Sequence, residues 1–307
     1  AILMQHWHVV ALIVPVVAFL LGVLGLPAAL SRKKSERRDE LVELASGVVA
    51  ARLKWKAERG FHGVVLHIGS NIPSRNEEDV SWYDQWPHWS PRIVLVEPQP
   101  RVADELRKLV RSEARWKPAA SVRVVETAVC DNNTNMTFYN LDADAIMKKH
   151  PHVDPYFLFE GGSIFQDKLP TMLSLINPRF DNLSKEEWQA FADNMVETEV
   201  RCTTSEQLLR EVAVTPHEVD ALIVDAEGQD SRILQDFLNM PGFQPGLIMF
   251  EYIVEAALGS VDNTSDFKSR AEHLRSTLVS KGYSLFMYNG EVDVMALLTP
   301  PQAPAPR

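Results

Sequence analysis

The pattern of apolar and polar positions changes character along the chain. Val9 to Leu30 reads VVALIVPVVAFLLGVLGLPAAL, 22 residues without a charge. At about 1.5 Å per residue this makes about 33 Å of helix, enough to cross a hydrocarbon core about 30 Å thick. A helix would also satisfy every backbone polar group inside the bilayer. Residues 1–31 are therefore read as a transmembrane anchor, with Trp7 flanked by His6 and His8 at the interface. The stretch SRKKSERRDE follows, carrying Arg32, Lys33, Lys34, Arg37 and Arg38. Residues 32–59 are read as a basic juxtamembrane segment with helical spacing from 36 to 58.

Beyond residue 60 the period alternates between strand and helix. Strands are expected at Val64–Ile68, Arg92–Val96, Val122–Thr127, Met136–Tyr139, Ala221–Val224 and Leu247–Phe250. Helices are expected at Val102–Glu113, Lys185–Met195, from the capping box Thr203-Thr204-Ser205-Glu206 to Val214, at Asp230–Leu238 and at Asp266–Lys281. Tyr283–Tyr288 and Val292–Leu298 read as a closing antiparallel pair. Short apolar strands alternating with amphipathic helices predict an α/β fold with a mainly parallel sheet covered on both faces. The folded region is read as 60–298, and the proline-rich tail 299–307 as flexible.

Composition narrows the class. Hydrophobic residues make up 46% of the 307, which supports a real core. The net charge of -10 argues against a nucleic-acid partner. Two cysteines, Cys130 and Cys202, exclude a disulfide-built scaffold. The basic cluster after the apolar run puts the large domain on the cytosolic, matrix or stromal side, where both thiols would be reduced. A mitochondrial inner membrane or a thylakoid fits that topology, as does the first residue, Ala1, if a targeting peptide is removed. On this reading the sequons at Asn132, Asn135, Asn182 and Asn263 carry no sugar.

Parallel sheets bind ligands beyond the carboxyl ends of their strands, which draws attention to His67, Glu97, Asp225 and Glu251. Gly69 follows the first strand, where a glycine lets backbone amides approach a ligand. Glu97 ends the next strand, where an acid can accept both hydroxyls of a ribose. Asp225 and Glu227 precede a helix; the pair could hold a polar acceptor, position a cofactor amine or bind a metal, or Asp225 could simply cap the helix while Glu227 faces solvent. No metal site is expected from the histidines: His6 and His8 could ligate a metal but read more simply as interfacial polar residues, and His150 with His152 lacks companion ligands. Trp82, Trp86 and Trp89 read as core packing or a partner-facing run.

The ordered motifs resemble the FkbM-type methyltransferase family, whose Rossmann-like fold binds S-adenosylmethionine. HIGSNIP at His67 to Pro73 is similar to its first cofactor loop, commonly Asp-Val-Gly-Ala-Asn-Ile-Gly. VEPQP at Val96 to Pro100 resembles its ribose-binding acid followed by proline. TAVCDNNTNMTFYN at Thr127 to Asn140 resembles the segment around the adenine, and VDALIVDAEGQDSRIL at Val219 to Leu234 its most characteristic motif. The resemblance covers about residues 60 to 298. It implies cofactor contacts from Gly69, Ser70, Asn71, Glu97, Ala128 and Asp131, with Asp225 and Glu227 at the acceptor. The chain departs from the pattern at His67 (Asp in the family), Pro73 (Gly) and Ile223 (Lys). Two functions stay open: a membrane-anchored O-methyltransferase for a small or lipid-linked acceptor, or an inactive accessory subunit of an organelle membrane complex. The enzyme needs S-adenosylmethionine; the accessory subunit needs no cofactor. Membrane lipids are partners in both.

Overall fold

A computed structural model describes residues 27–71, 86, 89–149, 189, 193–226, 228–251, 265–288 and 293–298. The chain divides into two units, Ala1–Leu44 and Ala45–Arg307. Helix α1 (Pro27–Ala57) contributes to both. Most of the apolar run 9–30 lies outside the described residues, and among those described no helix is long and apolar enough to cross a membrane.

The larger unit is built on a seven-stranded sheet. Its strands are β1 (Val64–Ile68), β2 (Arg92–Glu97), β3 (Ser121–Glu126), β7 (Val219–Val224), β8 (Leu247–Glu251), β9 (Tyr283–Tyr288) and β10 (Asp293–Leu298). They lie in the order β3-β2-β1-β7-β8-β10-β9. The first five run parallel, and β10 is antiparallel to both β8 and β9. The central strand β7, VDALIV, is buried at every position, as expected for a strand covered on both faces. Helices α2 (Pro100–Ser112), α5 (Asp230–Asn239) and α6 (Ser265–Ser280) accompany the sheet. This is a doubly wound, Rossmann-like arrangement.

Three shorter strands form a second sheet in the order β4-β6-β5, from β4 (Ala128–Val129), β5 (Asn135–Leu141) and β6 (Met195–Thr203). The helix expected at Lys185–Met195 gives way at its end to β6, because Val196, Thr198, Val200 and Cys202 alternate with polar residues. Short helix α3 (Ala143–Lys149) follows β5. Helix α4 (Ser205–Glu211) is capped one residue later than the sequence suggested: Thr204 Oγ1 accepts from the Gln207 N–H at 3.2 Å.

Within the larger unit, α1 lies across the amino ends of the strands. Ala45, Val49 and Leu53, one face at four-residue spacing, are fully buried. An added Cβ at Gly63 would collide with Leu53 and with the carboxylate of Asp220. That carboxylate is completely buried and meets Arg52 Nε at 3.1 Å, Lys56 Nζ at 2.8 Å and the Val64 N–H at 3.2 Å. Two cations and one amide thus satisfy an acid that a central strand would otherwise exclude.

Candidate functional site

The register fixes the carboxyl edge of the sheet. Ile68 pairs with both Val96 and Val224, and Val224 pairs with Phe250. Gly69, Glu97, Asp225 and Glu251 are therefore each the next residue outward on four adjacent strands. The chain runs from β1 to β2 and β3 on one side, then from β7 to β8 on the other. The edge beyond β1 and β7 is the place where strand order reverses and parallel sheets form a crevice.

The first loop is held tightly. The N–H groups of Gly69 and Ser70 both donate to the Val96 carbonyl, at 2.9 and 3.0 Å, while the Asp225 N–H donates to the Ile68 carbonyl at 2.9 Å. Gly69 has φ +71°, and a side chain there would collide with the Asp225 carbonyl. Only glycine fits this crossing of two backbones. Asn71 adopts φ +43°, a region asparagine tolerates better than most residues.

Glu97 is the electrostatic centre. It is 3% exposed, and its two carboxylate oxygens accept from the Asn71 N–H at 3.0 Å and the Gln99 N–H at 2.9 Å. Burial pushes its carboxyl up to about 7; the Gln99 and Asn71 amides pull it back, and the negative Asp225 nearby raises it further. Two of its roughly four lone-pair sites are used by these amides, leaving capacity for further donors. Asp225 itself is exposed. His67 stands in β1 between Leu95 and Ile223. Some of its surface reaches solvent, yet desolvation dominates and pushes the ring down to about 4, so it is neutral at pH 7.

Ser70 is buried, and its hydroxyl donates to the Val96 carbonyl at 3.3 Å. Ala128 lies two residues past β3, where the Thr127 N–H donates to the Glu97 carbonyl at 3.2 Å. Asp131 is exposed and ion-paired with Arg232 of α5. Gly69, Ser70, Asn71, Glu97 and Asp225 thus meet at one edge, with Ala128 beside them and Asp131 tied to α5. Glu227, Pro73, His150, His152 and Trp82 lie outside the described residues. Trp86 is in the core, and Trp89 lies beneath Lys54 at 5.8 Å. Among the described residues no cluster of His, Cys, Asp and Glu could hold a metal.

Two features escaped the sequence reading. Asp230, fully buried at the start of α5, accepts from the N–H groups of Ala226, Gly228 and Glu251, each at 3.3 Å. One carboxylate therefore joins the turn after β7 to the end of β8. Its place in the first turn of a helix was a visible signal, but of dipole compensation only. The second feature corrects the expectation of two reduced thiols: Cys130 and Cys202 are joined as a disulfide, with Cα atoms 5.8 Å apart. The parallel pairing of Ala128 with Cys202 brings them together.

No family model matches the chain. No protein of curated function matches it either. Among solved structures, it is similar to cofactor-bound Rv0187 from MTB, at 14% identity and a TM-score of 0.38, covering 92% of this chain and 95% of that one. An O-methyltransferase from Bacillus cereus in complex with SAH gives 11% identity and a TM-score of 0.38 over 84% and 81% of the two chains. The SAH-bound methyltransferase PaMTH1 of Podospora anserina gives 10% identity and 0.34 over 81% and 76%. The fold assignment rests on the strand order and register rather than on these likenesses.

Proposed function

We propose that the larger unit is a methyltransferase that uses S-adenosylmethionine to methylate a hydroxyl acceptor, tethered to a membrane by the apolar run at residues 9–30. The observation that carries this reading is the convergence of a glycine crossing at Gly69 and a buried acid at Glu97 on the edge where strand order reverses. That pairing suits a nucleoside: the glycine lets backbone approach the ligand, and the acid has lone pairs left for ribose hydroxyls. Gly69, Ser70 and Asn71 would line the amino-acid part of the cofactor, and Ala128 and Asp131 would border the base.

When bound, the cofactor supplies an electrophilic methyl on a sulfonium sulfur; the protein's task is alignment and electrostatics. Asp225, exposed at the strand end, would hold an acceptor hydroxyl and take its proton, with Glu227 close by in sequence. Asp230 acts one step back, accepting from the Ala226 and Gly228 N–H groups just after Asp225.

The alternative of an inactive accessory subunit draws on the departures at His67, Pro73 and Ile223. The register weakens part of that argument. His67 and Ile223 are direct cross-strand partners, so a charged Asp–Lys pair in the resembled family is replaced here by a neutral pair of neighbours. Losing both charges together leaves no unpaired buried ion.

Calorimetric titration of the full-length protein in detergent with S-adenosylhomocysteine tests the reading. Saturable binding at one site, abolished by Glu97→Ala, supports it. A folded protein that takes up no S-adenosylhomocysteine overturns it.

A further inference from the structure

Four consecutive exposed residues, Asp131 to Thr134, form a bend between β4 and β5. Three hydrogen bonds hold it: Asn133 Oδ1 accepts from Thr203 Oγ1 at 3.2 Å and from the Thr204 N–H at 3.1 Å, and the Cys202 N–H donates to the Thr134 carbonyl at 2.6 Å. Asn132 is left at the surface, in the sequence Asn132-Asn133-Thr134. The Thr134 hydroxyl donates to its Oδ1 at 2.7 Å. No hydrogen bond among the described residues uses its Nδ2, the atom to which an N-linked sugar is joined.

The neighbouring sequon makes the contrast. Asn135 is the first residue of β5, and its Nδ2 donates to Glu199 at 2.8 Å. Asn182 and Asn263 lie outside the described residues. A second, independent observation sits two residues from Asn132. The chain's two cysteines, 72 residues apart in sequence, are joined at the base of the same bend. Disulfides persist in oxidising compartments, and the secretory lumen is also where Asn-X-Thr is glycosylated.

We propose that Asn132 is an N-glycan acceptor and that this domain matures in an oxidising lumen. The basic cluster at residues 32–38 points to the opposite side of a membrane. That bias steers short flanking loops, whereas long domains translocate largely regardless of charge. The crosslink and the acceptor lie within the folded domain and bear directly on its compartment.

Asn132 Nδ2 attacks the anomeric carbon of an oligosaccharide carried on a polyprenyl diphosphate. The N–C bond forms, the C–O bond to the diphosphate breaks, the polyprenyl diphosphate leaves with the electron pair, and the amide nitrogen gives up a proton. The two thiols lose two electrons and two protons to a disulfide oxidant, which is reduced to a dithiol.

The test is peptide mass spectrometry on full-length protein from its native cells, alkylated before any reduction. Enzymatic deglycosylation in heavy-oxygen water should convert Asn132 to a labelled aspartate, and Cys130 and Cys202 should appear in one crosslinked peptide. Asn132→Gln should remove one mobility step on a gel, while Asn135→Gln and Thr134→Ser retain it. An unmodified Asn132 overturns the proposal whatever the state of the cysteines, as does alkylation of both thiols. Neither result bears on methyl transfer.

Discussion

Replacing Glu97 by glutamine separates its part in ligand binding from its part in folding. At pH 8 the wild-type carboxylate is ionised although burial raises its pKa from an ordinary 4.5 to about 7. By linkage, that elevation destabilises the ionised fold by about 3 kcal/mol. Glutamine removes this penalty, but its NH2 must face the N–H of either Asn71 or Gln99, leaving one donor without an acceptor at about 1–3 kcal/mol. The two terms oppose each other, so the variant should stay folded with stability within about 2 kcal/mol of wild type. Binding has no such compensation. Charge-assisted bonds to two ribose hydroxyls are worth about 1.5–3 kcal/mol each, and a neutral amide oxygen restores about 1. A net loss of about 3 kcal/mol makes S-adenosylhomocysteine bind about 100-fold more weakly. Calorimetry across pH adds a sign. Wild-type affinity should weaken below pH 7 as Glu97 takes up a proton, and the variant should not share that dependence. Wild-type stability should run the other way, falling as pH rises from 4.5 to about 7, because the folded state binds the extra proton. A folded Glu97→Gln protein with wild-type affinity for S-adenosylhomocysteine would refute the assignment.

Gly69→Ala forces a side chain into the Asp225 carbonyl at a left-handed φ and should destabilise the domain by about 3 kcal/mol, read by denaturant unfolding. Asp230→Ala strips the acceptor from three amides, two of them buried; a loss of about 3 kcal/mol or more is expected, whereas a loss under about 1 would show that water replaces it. Asp220→Ala leaves Arg52 and Lys56 without their shared partner and should lower stability by about 3–5 kcal/mol in thermal unfolding. Because Asp220 is at the far end of the sheet, any Asp220→Ala protein that remains folded should bind S-adenosylhomocysteine normally.

The parallel strands were legible because β1, β2, β7 and β8 are near-continuous apolar runs, which a two-sided cover requires. Asp220 interrupts one of them, and its tolerance depends on Arg52 and Lys56, more than 160 residues earlier. β6 carried its own signal, since Val196, Thr198, Val200 and Cys202 alternate with charged residues, but helical spacing read through Met195 and the capping box at Thr203 left that short stretch between two helices. At the site, Gly69, Glu97 and Asp225 were visible as strand-end residues, since their shared edge follows from parallel topology. Asp230 was not, because three amides from separate segments meet it only after β7 and β8 pair. The cysteine pair was hidden for the same reason: β4 is two residues long, too short for sequence periodicity to reveal its partner.

The most direct test of the account is the structure of the full-length protein bound to S-adenosylhomocysteine. The account predicts both ribose hydroxyls on the carboxylate of Glu97, the amino-acid portion along Gly69 to Asn71, and the sulfur facing Asp225. A ligand seated elsewhere on the domain, with Glu97 still bonded only to the amides of Asn71 and Gln99, would contradict it.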